Sequence, residues 1–143
     1  MGAGTGIQGI TAALKGCDVT FSDIDTKAIE CSRYNAAANG VEGNFIVSDL
    51  FSNVKERFNT IIFNPPYLIS SEYKNTALDG GTNGREIIDR FIQTYKDHVL
   101  PKHIVLLVES SFNSYEKNVK TLKAKVVAKE HYFFEDVVLL SFL

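Results

Sequence analysis

At 143 residues the chain is long enough for one domain with a real core and too short for two. Hydrophobic and charged fractions of 45% and 22% are ordinary globular values, and a net charge of −2 argues against a strongly basic nucleic-acid surface. No stretch approaches the roughly 20 apolar residues that cross a bilayer, and the start is glycine-rich rather than basic then apolar, so a soluble cytoplasmic protein is expected, with no signal peptide and no membrane contact.

Met1-Gly2-Ala3-Gly4-Thr5-Gly6 opens the chain, with glycines at alternate positions that let a backbone turn tightly and approach a ligand. Such a loop normally follows a buried strand, so the first strand is expected to be missing and the chain to be truncated at the glycine loop. A short helix over 7–14 leaves the loop and stops at Lys15-Gly16. Residues 17–21 read as a short strand ending at Ser22-Asp23, and Asp25 as the N-cap of a helix to about Ala38, closed by Asn39-Gly40. Residues 45–47 form a third short strand ending at Ser48-Asp49. Residues 58–63 form a fourth, whose Ile61-Ile62-Phe63 run suits a strand buried on both faces.

Asn64-Pro65-Pro66-Tyr67 follows at once. Two prolines fix φ and remove two donors, so the strand ends there, and Asn64 is pressed into extended geometry. The result is a stiff loop presenting an amide side chain, free carbonyls and an aromatic ring at the rim where open α/β sheets bind ligands. A polar, glycine-rich loop over 70–84 comes next, of a length usually reserved for function. Asn83 with Glu86 suggests a capping arrangement for a helix whose Ile87, Ile88, Phe91, Ile92, Tyr95 and Val99 share one face, ended by Pro101. Residues 103–108 make a fifth strand ending at Glu109, and 112–122 a helix of weaker pattern. Residues 125–133 and 137–143 make a hairpin turning at Phe134-Glu135-Asp136. Strands alternating with helices predict an α/β, Rossmann-like domain spanning 1–143, its sheet mostly parallel with an antiparallel C-terminal hairpin.

Gly4-Thr5-Gly6-Ile7-Gln8-Gly9 matches the dinucleotide pattern, with Asp23 some ~20 residues on. The same residues fit Gly2-x-Gly4-x-Gly6, a loop that S-adenosylmethionine enzymes use. Both cofactors carry a ribose, so the loop and Asp23 do not separate them. Asp49 ends the third strand, where it can accept from an adenine amino group. Asp23, Asp49, Asn64 and Glu109 each follow a β-run, so the predicted fold gathers them along one edge. Strand ends also favour Asp and Asn simply as turn formers. Carboxylates beside a cationic sulfonium are favourable, and beside a pyrophosphate they repel, which favours S-adenosylmethionine. His98, His103 and His131 lie outside metal-ligand spacing, so no metal site is expected. Cys17 and Cys31 are too few for a disulfide scaffold and are expected reduced and partly buried. Ser110-Ser111 carries no nucleophile motif. Lys117, Lys120, Lys123 and Lys125 read as a solvated face.

A planar nitrogen is a poor nucleophile because its lone pair is delocalised. Two acceptors taking both N–H hydrogens hold that lone pair toward an electrophile. The Asn64 side-chain oxygen and the Pro65 carbonyl suit this task, with Tyr67 packing on the planar group and excluding water. Methyl transfer to such a nitrogen demands positioning and desolvation above all.

The glycine loop, Asp23, Asp49 and Asn64-Pro65-Pro66-Tyr67 together resemble the class I S-adenosylmethionine-dependent methyltransferases of planar nitrogen. The segment 77–86, Ala77-Leu78-Asp79-Gly80-Gly81-Thr82-Asn83-Gly84-Arg85-Glu86, with Asp89-Arg90-Phe91, resembles the HemK/PrmC protein-glutamine N5-methyltransferases, in particular the short archaeal and eukaryotic branch. The resemblance implies that Gly2, Gly4, Gly6, Asp23 and Asp49 hold S-adenosyl-L-methionine, with Asp23 on the ribose, Asp49 at the adenine and Asn64 bordering the cofactor. It implies that Asn64, Pro65 and Tyr67 act on the glutamine amide, with Pro66 completing the substrate contact. The implied substrate is the Gly-Gly-Gln loop of a peptide-chain release factor. The implied partner is a small zinc-containing activator covering the strand edge at Phe45 to Val47. An RNA or DNA amino-methyltransferase, against which the acidic composition weighs, is the alternative enzyme. A non-catalytic partner subunit or fragment is the alternative without activity.

Overall fold

A computed structural model describes residues 1–69 and 77–143. The chain divides into two compact units, Met1–Glu56 and Arg57–Leu143.

In the first unit the glycine loop leads into α1 (Ile7–Ala13), followed by β1 (Thr20–Asp23), α2 (Thr26–Ala38) and β2 (Asn44–Val47). Strands β1 and β2 pair in parallel, with Phe21 opposite Phe45. Those two rings stack at 4.7 Å between centroids, and the Arg33 guanidinium sits 4.8 Å above Phe45. Ile10, Phe21, Ala36 and Val41 form the buried core of this unit. Gly9 is what lets α1 approach, because a Cβ there would run into the Phe21 ring. Asp25 caps α2 as expected, its side chain accepting from the Lys27 N–H at 2.8 Å, and Gly40 follows the helix with φ 65°. Cys17 and Cys31 are both exposed free thiols, contrary to the expected partial burial. The predicted strand over 17–21 forms instead at Thr20–Asp23, since Cys17 is still tied to the end of α1 by its N–H bond to Ala12 O.

The second unit holds β3 (Phe58–Phe63), α3 (Glu86–Thr94), β4 (Val99–Ser110), α4 (Glu116–Thr121), β5 (Lys125–Tyr132) and β6 (Glu135–Phe142). Its sheet has the order β3-β4-β6-β5, with β3 and β4 parallel and β6 antiparallel to both β4 and β5. The strands thus form two hydrogen-bonded sheets among the described residues, a parallel pair and a mixed four-stranded sheet. Ile88, Phe91 and Tyr95 are the buried stripe laid on the mixed sheet by α3 and the 3-10 turn after it. Phe63, Phe91, Tyr95 and Phe142 form an aromatic column with centroid spacings of 5.1, 5.8 and 5.4 Å.

Three boundaries move. β4 begins at Val99, before Pro101, because the ladder to β3 slips between Phe58 and Thr60; Pro101 sits opposite that irregularity, where no donor is required. The helix expected over 112–122 breaks into a 3-10 turn at Ser111–Asn113 and the short α4, with Ser114 left-handed between them. The hairpin turns at Phe133-Phe134, one residue earlier than expected. Part of the loop over 70–84 lies outside the described residues.

The Asp25 cap can be tested directly. Asp25→Ala should lower unfolding free energy by about 1 kcal/mol, read as a fall in urea midpoint at constant slope. An unshifted midpoint would mean that the cap bond contributes nothing.

Candidate active site

In the first unit, Asp23 is the centre. It is the last residue of β1, half-buried, and its two carboxylate oxygens each take one backbone N–H. Oδ2 accepts from Gly4 at 2.9 Å and Oδ1 from Asp25 at 3.0 Å. The Ala3 N–H bonds Ser22 O at 3.0 Å, so the glycine loop is pinned to the end of β1. Gly2, Gly4 and Gly6 have φ of 59°, 52° and 86°, the left-handed values that their alternating pattern requires. Asp49 lies two residues past β2, half-buried, and the Ser48 N–H bonds Asp23 O at 2.8 Å. The glycine loop, Asp23 and Asp49 are therefore gathered at one end of the β1–β2 pair.

These residues fit a ribose-bearing cofactor. Each Asp23 oxygen spends one acceptor position on the backbone and keeps capacity for a sugar hydroxyl. A Cβ built on Gly4 would meet nothing within 4 Å, so space lies open over the loop.

In the second unit, Asn64 follows β3 and is exposed, with no hydrogen bond to its side chain among the described residues. Pro65 is buried, and Pro66 and Tyr67 are half-buried. The loop is held from behind. Asn113 Nδ2 donates to Tyr67 O at 2.8 Å, and the Leu68 N–H bonds Leu78 O at 2.9 Å. Gly84, with φ 68°, lies so close beneath that a Cβ would strike Asn113 Nδ2 and Tyr67 O. The glycine-rich segment is thus the seat of the proline loop. The Tyr67 phenol is held above its ordinary pKa, first by burial and then by Glu135 and Tyr132, which keeps it neutral.

Asn113 is held in turn by a buried polar network. Its Oδ1 accepts from Ser110 N at 3.2 Å, and its carbonyl accepts from Arg85 Nη1 at 2.6 Å. Arg85 also reaches Glu109 Oε2 at 3.3 Å, Asp89 Oδ1 at 2.7 Å and Asn118 Oδ1 at 3.2 Å. Asn118 Nδ2 donates to Glu109 Oε1 at 2.6 Å. Glu109 is fully buried. It was expected on the ligand rim beside Asp23 and Asp49; instead both of its oxygens are spent inside the protein, so it supports the loop and carries no ligand role. Asn83 does not cap α3 either. Its Oδ1 accepts from Arg85 N at 3.0 Å, while Glu86 Oε1 accepts from Thr82 N at 3.2 Å, two local bonds that aim Arg85 inward ahead of the helix.

Asn113 and Asn118 escape sequence reasoning because their partners are distant in the chain. The only local sign is Ser110 with Asn113 three residues on, the reciprocal cap that the structure forms.

Burial pushes the Glu109 carboxyl up to about 7, against the opposing pull of Asn118 and Arg85. Its folded pKa lies above the ordinary 4.5, so the native state holds a proton there that the unfolded chain releases. The stability this group contributes is complete below pH 4.5 and is lost as pH rises through 7. Glu109→Gln should therefore gain on wild type in thermal stability between pH 5 and pH 8. A constant difference across that range would refute the buried neutral carboxyl.

The family model described as methyltransferase small domain matches residues 1–134. A Methanocaldococcus jannaschii protein, provisionally named protein N5-glutamine methyltransferase, is 35% identical over 99% of this chain and 78% of its own length. Methyltransferase HEMK2 of Homo sapiens is 28% identical over 87% of this chain and 64% of its own length. Among solved structures, the E. cuniculi Mtq2–Trm112 complex, responsible for methylation of the eRF1 translation termination factor, superposes with a TM-score of 0.72. It covers 98% of this chain and 79% of that one at 21% identity, a likeness of fold.

Proposed function

The chain belongs to the methyltransferase small-domain family, and from that premise we propose that it moves a methyl group from S-adenosyl-L-methionine to the side-chain amide of a glutamine in a peptide-chain release factor. The observation that carries the reading is Asn64: an exposed amide at a strand end, unspent among the described residues, on a loop fixed by two prolines and by Asn113. The archaeal relative's name supports glutamine as the acceptor, and the Mtq2–Trm112 complex supports a translation termination factor as the protein that carries it.

The bound cofactor supplies an electrophilic sulfonium methyl. Gly2, Gly4 and Gly6 give it a backbone surface, Asp23 accepts from its ribose hydroxyls, and Asp49 stands at the adenine end. On the acceptor side, the Asn64 side-chain oxygen and the Pro65 carbonyl take the two N–H hydrogens of the glutamine amide. That fixes the plane of the amide and the direction of its nitrogen lone pair. Tyr67, kept neutral, packs on the planar group and Pro66 closes the loop against water. Glutamate, with no N–H to offer, leaves both acceptors unsatisfied and is refused.

A small zinc-containing activator of the Trm112 kind is the proposed partner. The free edge of β2 at Phe45 to Val47 suits it: Val47 is exposed, and β2 pairs only with β1 among the described residues. A translation-termination substrate puts the reaction in the cytoplasm.

Asn64→Ala should cut methyl transfer by about two orders of magnitude while circular dichroism and cofactor affinity stay at wild-type values. Retained turnover in that variant would sink the mechanism. Asp23→Ala should weaken cofactor binding in calorimetry by about 1.5–3 kcal/mol, the size of a hydrogen bond to a charged group. A wild-type affinity would remove Asp23 from the ribose.

A further inference from the structure

The β5–β6 hairpin ends in a turn that its own chemistry disfavours. Tyr132 and Glu135 are its last paired residues, so Phe133 and Phe134 alone make the turn. Two-residue hairpin turns select Asn-Gly, Asp-Gly or Gly-led pairs, because positive φ is required and a bulky side chain resists it. Phe133 nevertheless holds φ 50°. Both rings stand in solvent, 93% and 89% exposed; Tyr132, next to them in the chain, is 56% exposed, and Phe112, on a separate segment, is 55% exposed. Strain and exposed aromatic surface together return nothing to folding.

Hydrogen bonds connect this tip to the proline loop. Ser111 Oγ accepts from Asp136 N at 3.0 Å, in the second residue pair from the turn. Two residues on, Asn113 donates to Tyr67 O at 2.8 Å, and Phe112 lies between the two anchors. Tyr67 also feels the charge of Glu135 and the phenol of Tyr132. The four exposed aromatics and the loop bearing Asn64 thus belong to one end of the second unit.

We infer that the Phe133-Phe134 tip, with Phe112 and Tyr132, is the docking element for the substrate protein, seating an apolar polypeptide surface next to the residue that Asn64 receives. The inference rests on the proposed glutamine reading and adds the surface that selects the protein carrying it. The local charge favours polypeptide over nucleic acid. Lys129 and His131, the basic side chains of this end of β5, are both committed to Asp136 at 2.7 and 2.8 Å. Glu130, exposed, and Glu135, half-buried, stand close to the turn in the chain. A phosphate backbone would meet the exposed Glu130 carboxylate there, whereas an apolar protein surface meets rings.

Only the first turn residue has positive φ, which calls for a Gly-led pair, so replacing the turn by Gly-Asn removes both rings and the hairpin survives. The full chain carrying Phe133→Gly and Phe134→Asn should be compared with wild type, with a Trm112-type activator in every assay. The readouts are methyl transfer to release factor, binding of release factor and of single-stranded RNA, and melting temperature. The expected result is a KM for release factor raised roughly tenfold or more, with kcat and cofactor affinity unchanged and the melting temperature equal or higher. An unchanged KM overturns the docking role while leaving the glutamine reading intact. Weakened RNA binding with release-factor binding preserved overturns the choice of a protein partner. No transfer to release factor by wild type contradicts the glutamine reading itself, and the docking role falls with it.

Discussion

Arg85 is the side chain on which the second unit's chemistry depends. Its guanidinium is buried and bonds Glu109, Asp89, Asn118 and the carbonyl of Asn113. Through Asn113 that grip reaches the carbonyl of Tyr67 and so the stiff loop bearing Asn64. A buried charge is expensive unless its partners are complete, and removing one partner of such a cluster costs several kcal/mol (roughly 3–5) because the others stay buried and unmatched. The cluster therefore imposes one arrangement rather than adding raw stability. It joins the ends of β3 and β4, the segment before α3 and the start of α4 into one rigid support.

That support explains the glycine-rich segment ahead of α3. Gly84 leaves room for the Tyr67 carbonyl and the Asn113 amide in the space a Cβ would fill, and Asn83 turns the chain so that Arg85 points inward. A pattern that reads in sequence as a family signature is, in the folded chain, the mould of the proline loop. The first unit follows a different logic. There a single carboxylate, Asp23, ties the glycine loop to β1 and retains acceptor capacity, so the group that builds the loop is also the one proposed to hold a ribose.

How much was legible depended on how local the cause was. The Asp25 cap and the Asn39-Gly40 exit are set within a few residues, and both stand where the sequence places them. β3 was legible to the residue because two prolines punctuate its end. The start of β4 was not, since Pro101 reads as a stop unless one knows of the slipped ladder to Phe58. Glu109 looked like one more strand-end acid. Its burial is decided by Arg85, 24 residues earlier, and Asn118, nine later, a convergence no window of sequence displays. The hairpin turn was misplaced because Phe-Phe is not a turn sequence, and that mismatch marks the tip as a surface under some demand other than folding.

The acceptor proposed for Asn64-Pro65-Pro66-Tyr67 is a glutamine amide and not a nucleobase. The most direct measurement is transfer of a labelled methyl group from S-adenosylmethionine, with activator present, to three acceptors: intact release factor, release factor with the glutamine of its Gly-Gly-Gln loop replaced, and ribosomal RNA. Label is expected on intact release factor alone. Label that persists after the glutamine is replaced, or that appears on the RNA, contradicts the proposal.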